Sequence, residues 1–95
     1  MSNSRHITVN WKGNTYTFNT NSKIQHFDGY LKIRFELNPD PKANPTGVNV
    51  VTVEHDTQTI TSVVSERGVN LMRSPLLTSL SDWINEYYQA WRTLQ

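Results

Sequence analysis

Three short stretches hold residue types that could do chemistry: "EHD" at Glu54, His55 and Asp56, "HFD" with His26 and Asp28, and "YLKIR" with Tyr30, Lys32 and Arg34. A histidine beside two carboxylates supplies metal-ligand types, but ligands must converge on one point. Adjacent residues of a strand point to opposite faces. In an extended "EHD", Glu54 and Asp56 share one side and His55 takes the other. Only a fold that brings His26 alongside completes a His-plus-carboxylate set, so the stretch is expected to be a polar strand end entering a turn, with no metal bound.

Nucleophilic catalysis fares no better. Eight serines and three histidines are present, yet no G-x-S-x-G or comparable elbow surrounds any serine. The absence of cysteine removes thiol chemistry and Cys-based zinc or redox sites. The acids are scattered without a paired spacing, and the four isolated glycines form neither G-x-x-x-x-G-K nor G-x-G-x-x-G. The expectation is a protein that is not an enzyme and carries no cofactor.

The third stretch points to binding. Tyr30, Lys32 and Arg34 fall on one face of an alternating strand, an aromatic beside two cations, as in sheet surfaces that stack a base and hold phosphate. Lys12 or Arg5 is the candidate addition from a neighbouring strand. Against this stand Glu36 at the end of the row, the lack of an RNP-type sequence, and a net charge of only +1. Single-stranded nucleic-acid binding by this face is therefore the alternative expectation.

The elements that must position these residues follow from periodicity. "RHITVNW" and "TYTFNT" alternate on either side of "KGN", a hairpin over about 5–19. "TNSKIQHFDG" loses the alternation and reads as a loop. "YLKIRFEL", 30–37, sets Leu31, Ile33, Phe35 and Leu37 on one face, which describes an antiparallel strand with one wet side. "NPDPKANPTG", 38–47, holds three of the four prolines and predicts a loop of limited freedom. "VNVVTVEH" and "TITSVVSE" predict a second hairpin over about 48–65, which "RGVNLMR" extends by a short strand after a turn at Gly68.

The period then changes. Leu77, Leu80, Ile84, Tyr87, Trp91 and Leu94 form one stripe of an α-helix. Ser74-Pro75 offers one start and Ser79 with Asp82 another; the second is favoured, giving a helix over about 79–94 with "PLL" as a lead-in turn. On that wheel Ile84, Tyr87 and Trp91 face Ile33 and Phe35, while Trp83 and Tyr88 lie on the flanks, half exposed. Trp and Tyr are enriched among binding hot spots, so these two are the candidate anchors. Their replacement by alanine is then expected to weaken partner binding and spare stability. Asp40 and Lys42, in the proline-rich loop, are the other candidate contacts. The predicted architecture is α+β, an antiparallel sheet of four to five strands with one C-terminal helix on one face.

A chain of 95 residues makes a single domain, 1–95. Nothing in it is apolar enough to span a membrane, "MSNSRHITVN" lacks a signal-peptide h-region, and the cysteine-free composition leans towards the cytoplasm. Ser, Thr and Asn supply 29 of the residues, so polar surface here owes less to charge than to amides and hydroxyls. In this character (short, cysteine-free, Asn- and Thr-rich) the chain resembles accessory proteins of bacterial viruses and mobile elements, anti-CRISPR proteins and other inhibitors of host defence among them. The leading expectation is a small non-catalytic protein-binding domain, an inhibitor or adaptor of phage or mobile-element origin. A homo-oligomeric structural component, pairing by sheet edges or by the helix flank, is the third expectation.

Overall fold

The computed structural model describes residues 3–94. Five strands pair antiparallel in chain order: β1 (Ser4–Trp11), β2 (Asn14–Phe27), β3 (Tyr30–Leu37), β4 (Val50–Asp56) and β5 (Ile60–Ser65). One helix, α1 (Pro75–Thr93), covers one face of the sheet. This is the α+β architecture that the alternation of "YLKIRFEL" and the closing helical stripe imply.

The registers explain which side is covered. Ile7 lies opposite Phe18, Phe35 opposite Val51, and Ile33 opposite both Ile24 and Val53. With a side-chain period of two, the apolar members of β1 to β5 therefore share the α1 side. Ile7, Val9, Phe18, Leu31, Ile33, Phe35, Val51, Val53 and Val63 are buried there, and the outer face remains open and polar. At its outer edge β5 is covered by 69–71: Ser65 N–H donates to Val69 C=O and Leu71 N–H to Val63 C=O. The short extra strand expected after Gly68 is thus present as an isolated bridge, Val64 to Asn70.

Two boundaries differ from the sequence expectation. The segment "TNSKIQHF" is strand, not loop: β2 runs for 14 residues, pairing first with β1 and then with β3. Its inward positions include Thr20 and Ser22, both buried, so the buried face is partly polar and the apolar alternation is masked. Two-residue turns close both hairpins of β2; the first takes Lys12 and Gly13 at φ 49° and 85°, the geometry a tight hairpin needs.

The helix starts earlier than Ser79. Ser74 is the N-cap, its hydroxyl accepting from Leu76 N–H at 3.1 Å, and Pro75 occupies the first turn, where its missing N–H costs nothing. Ser79 instead sits inside the helix and bonds Pro75 C=O and Thr8 C=O.

The buried face of α1 is also wider than one stripe. Leu76, Leu80, Trp83, Ile84, Tyr88 and Trp91 are all buried, an arc of about 140° at 100° per residue. The candidate anchors Trp83 and Tyr88 are therefore core residues, 2% and 9% exposed, not half-exposed flanks. The reason is the breadth of five strands: the sheet meets both shoulders of the helix. Trp83 packs edge-on to Phe35 at 5.1 Å, and Tyr88 stacks on His55 at 4.1 Å and donates its hydroxyl to Thr57 C=O. Tyr87, expected in the core, is half-buried and bonds the Ser22 hydroxyl; Leu94, beyond the last helical turn, is exposed.

Trp83→Ala is accordingly expected to destabilise the domain by about 3–5 kcal/mol, measured by urea denaturation. A loss below about 1 kcal/mol would instead place the indole at the surface.

Candidate functional site

With Trp83 and Tyr88 buried, the exposed surfaces are set by what surrounds them. The proline-rich connection between β3 and β4 is a built structure. Asn44 is buried; its amide donates to Asn38 C=O at 3.0 Å and Val48 C=O at 2.9 Å, and its side-chain oxygen accepts from Thr46 N–H and the Thr46 hydroxyl. Asp40 accepts from Lys42 N–H at 2.9 Å, so its carboxylate holds the turn. Both Asp40 and Lys42 are exposed, and they lie in a loop fixed from within.

The first half of α1 runs beside β1, and a groove of about 620 Å³ opens between them. His6, Thr8 and Asn10 line it from the strand, with Arg73, Thr78 and Asp82 from the helix and its approach. Asn3 C=O bonds Ser22 N–H, so odd residues of β1 turn their main-chain groups to β2. Even residues therefore turn theirs outward. Among these, Thr8 C=O is held by the Ser79 hydroxyl at 2.6 Å. That hydroxyl carries one proton and has a second acceptor, Pro75 C=O, at 3.1 Å. Losing Thr8 therefore leaves Ser79 with an ordinary i−4 helix bond.

Charge in the groove is partly committed. Arg5 reaches across 81 residues of sequence to Glu86, in a two-pronged pair at 2.9 and 3.2 Å, and lies 4.4 Å over the Trp83 ring. The hydrogen bonds from Arg5 hold the Glu86 carboxyl below the usual range, and the same bonds raise Arg5. Arg73 forms no ion pair among the described residues. This pairing had no signal in the sequence, because nothing there aligns β1 with the middle of α1.

The outer face carries the other expected residues. Tyr30, Lys32 and Arg34 do point there together, and the β2 register adds what the sequence hid. Phe27 stands opposite Tyr30, Gln25 opposite Lys32, and Lys23 opposite Arg34. Phe27 and Tyr30 stack at 4.7 Å, and Lys23, Gln25, Lys32, Arg34 and Thr52 line a cleft beside them. Lys12, on the β1–β2 turn, and Arg5, bound to Glu86, are not part of this cleft.

His26 and His55 do not converge on one point. His26 and His55 occupy one row of the covered face, on either side of Leu31, about 10 Å apart at two strand spacings. Glu54 and Asp56 lie on the opposite face, and no three His, Asp or Glu side chains converge among the described residues. No known family model matches the sequence, and no characterised protein or solved structure is significantly similar to it.

Three carboxylates are tied to the fold. Asp56 is lowered by N–H groups of Thr59 and Gln58, and Glu86 by Arg5. Burial pushes Glu66 upward, but N–H groups of its own residue, Val50 and Asn49 outweigh it and leave it lowered. Groups depressed in the folded state stabilise above the unfolded carboxylate pKa, about 4, and that contribution is lost as pH falls through the folded values. Thermal midpoints should therefore fall on acidification below about pH 4, and Asp56→Asn should flatten part of that slope. An unchanged slope in the variant would show that the turn does not hold the ionised form.

Proposed function

We propose that this chain is a small protein-binding domain that works by occupying a partner's surface, and that the groove between β1 and the first half of α1 is where the partner docks. The observation that carries the reading is the meeting, in one groove, of outward strand groups at His6 and Asn10, of Arg73, which has no ion pair among the described residues, and of a hydroxyl at Ser79 that can exchange its acceptor. An extended segment fits such a surface, because main-chain bonds supply affinity and a few side-chain contacts supply selectivity. Arg73 favours an acidic residue on that segment. A second copy pairing through β1 is the competing occupant: β1 itself carries no Asp or Glu, but the same groove holds Asp82.

The proposal keeps the inhibitor or adaptor role, of the kind bacterial viruses carry against host defence, anti-CRISPR proteins included. It places that role in the cytoplasm, on the cysteine-free composition, and without catalysis. Among the described residues no helix is long and apolar enough to cross a membrane. Asp40 and Lys42 are secondary contacts in this reading, and Trp83 supports the groove from beneath, whereas Tyr88 packs on His55 at the other end of the helix.

The test is affinity capture from nuclease-treated bacterial lysate, read by mass spectrometry, using the parent chain beside Arg73→Glu and Thr78→Arg. Both positions are exposed, so neither substitution should move the thermal midpoint. Capture of one protein in stoichiometric amount by the parent, lost in both variants, is the expected result. Equal capture by the variants would remove the groove from the account. A homodimer seen by light scattering and dispersed by the same variants would assign the groove to self-association and overturn the partner reading.

A further inference from the structure

The outer face of β2, β3 and β4 is a separate surface, turned away from α1. From it we infer a second binding site, one that takes a single-stranded nucleic acid, with Phe27 and Tyr30 receiving a base and Lys23, Lys32 and Arg34 receiving phosphates.

The arrangement rests on register. β2 continues past the start of β1 and pairs with β3 down to Phe27 and Tyr30. That extension sets Lys23 beside Arg34 and Gln25 beside Lys32 on the open face, next to the stacked rings. Same-face neighbours along a strand lie about 6.8 Å apart, so Tyr30, Lys32 and Arg34 step along β3 at a spacing comparable to that of successive phosphates in an extended strand. Phe27 remains 39% exposed despite its stack, which leaves aromatic surface for a base. Gln25 and Thr52 add donors and acceptors within the cleft.

The acids on this face shape the affinity without blocking the site. Glu36 lies 3.7 Å from Lys23 and 4.0 Å from Arg34, at the long limit of an ion pair, and the Lys23 and Arg34 side chains are 72% and 53% exposed. Exposed pairs of this kind contribute little, and a phosphate competes with them readily. Lys32 stands opposite Glu54, yet the two form no ion pair among the described residues. Asp56 stands opposite Tyr30, so three acids match the three cations in number and the face is near neutral as a whole; the attraction is local, and three phosphate contacts set the salt dependence. The slope of log K against log salt should be about −2 for a single strand.

The experiment is fluorescence anisotropy of a labelled oligothymidylate titrated with the full chain at low and at moderate salt. Saturable binding with that slope is expected. Lys32→Glu with Arg34→Glu should abolish it, and Tyr30→Ala should weaken it about tenfold. Glu36→Gln should strengthen it, a gain that loss of a structural contact would not give. Thr78→Arg, on the opposite side of the domain, should leave it unchanged, so failure here is distinct from failure of the groove reading. Absence of binding at low salt would overturn the proposal, as would binding indifferent to the charge reversals. A base-free polyphosphate competing equally per phosphate, with Tyr30→Ala silent, would overturn the nucleic-acid assignment.

Discussion

The burial of α1 against the sheet is the contact on which the other features depend. Leu76, Leu80, Trp83, Ile84, Tyr88 and Trp91 present a continuous apolar arc, and Ile7, Phe18, Leu31, Ile33, Phe35, Val51 and Val53 receive it. A domain this small buries a limited fraction of its unfolded surface, so two tryptophans given to one interface are a large share of its stability. Their burial also decides what is left for function. The aromatic-rich "SDWINEYYQAW" is used inward, and the exposed side of α1 is polar at Thr78, Asp82, Glu86 and Gln89.

Where α1 lies follows from the same contact. Ser79 reaches Thr8, Glu86 reaches Arg5, Tyr87 reaches Ser22, and Tyr88 reaches Thr57. The helix thus begins against β1 and ends by the β4–β5 turn. That diagonal course closes part of the β1 edge and leaves the groove beside it. It also leaves the whole opposite face of the sheet uncovered. Both proposed surfaces are consequences of one packing solution, one at the seam between the layers and one on the layer that nothing covers. Edges are otherwise managed in the usual ways, by the 69–71 segment at β5 and the Ser79 hydroxyl at β1.

Much of the fold was legible because alternation is a direct record of burial. β1, β3 and the β4–β5 pair announce themselves through residues such as Ile7, Leu31 and Val53, and the helix through Leu80, Ile84 and Trp91. The extension of β2 was hidden because Thr20 and Ser22 occupy buried positions with polar side chains. Its one legible signal is Asp28-Gly29, a hairpin dipeptide that calls for strand on both sides of the turn, against the loop that the lost alternation suggests. Ser74-Pro75 marks the helix start, whereas the pattern of Ser79 with Asp82 imitates a cap from inside the helix. Trp83 and Tyr88 were placed by angle alone, whereas their depth depends on the width of the sheet, which no local pattern encodes. Of the proposed surfaces, Tyr30, Lys32 and Arg34 were visible in one strand. Lys23, Gln25 and Phe27, and the approach of Arg73 to β1, required tertiary pairing.

The central claim is that β1 keeps an accessible edge beside α1. Residue-resolved amide hydrogen exchange of the free protein tests it most directly. Arg5, Ile7 and Val9, whose N–H groups face β2, should exchange slowly, and His6 and Asn10, whose groups face the groove, should exchange fast. Uniform protection along β1 would show the edge to be closed and would contradict the account.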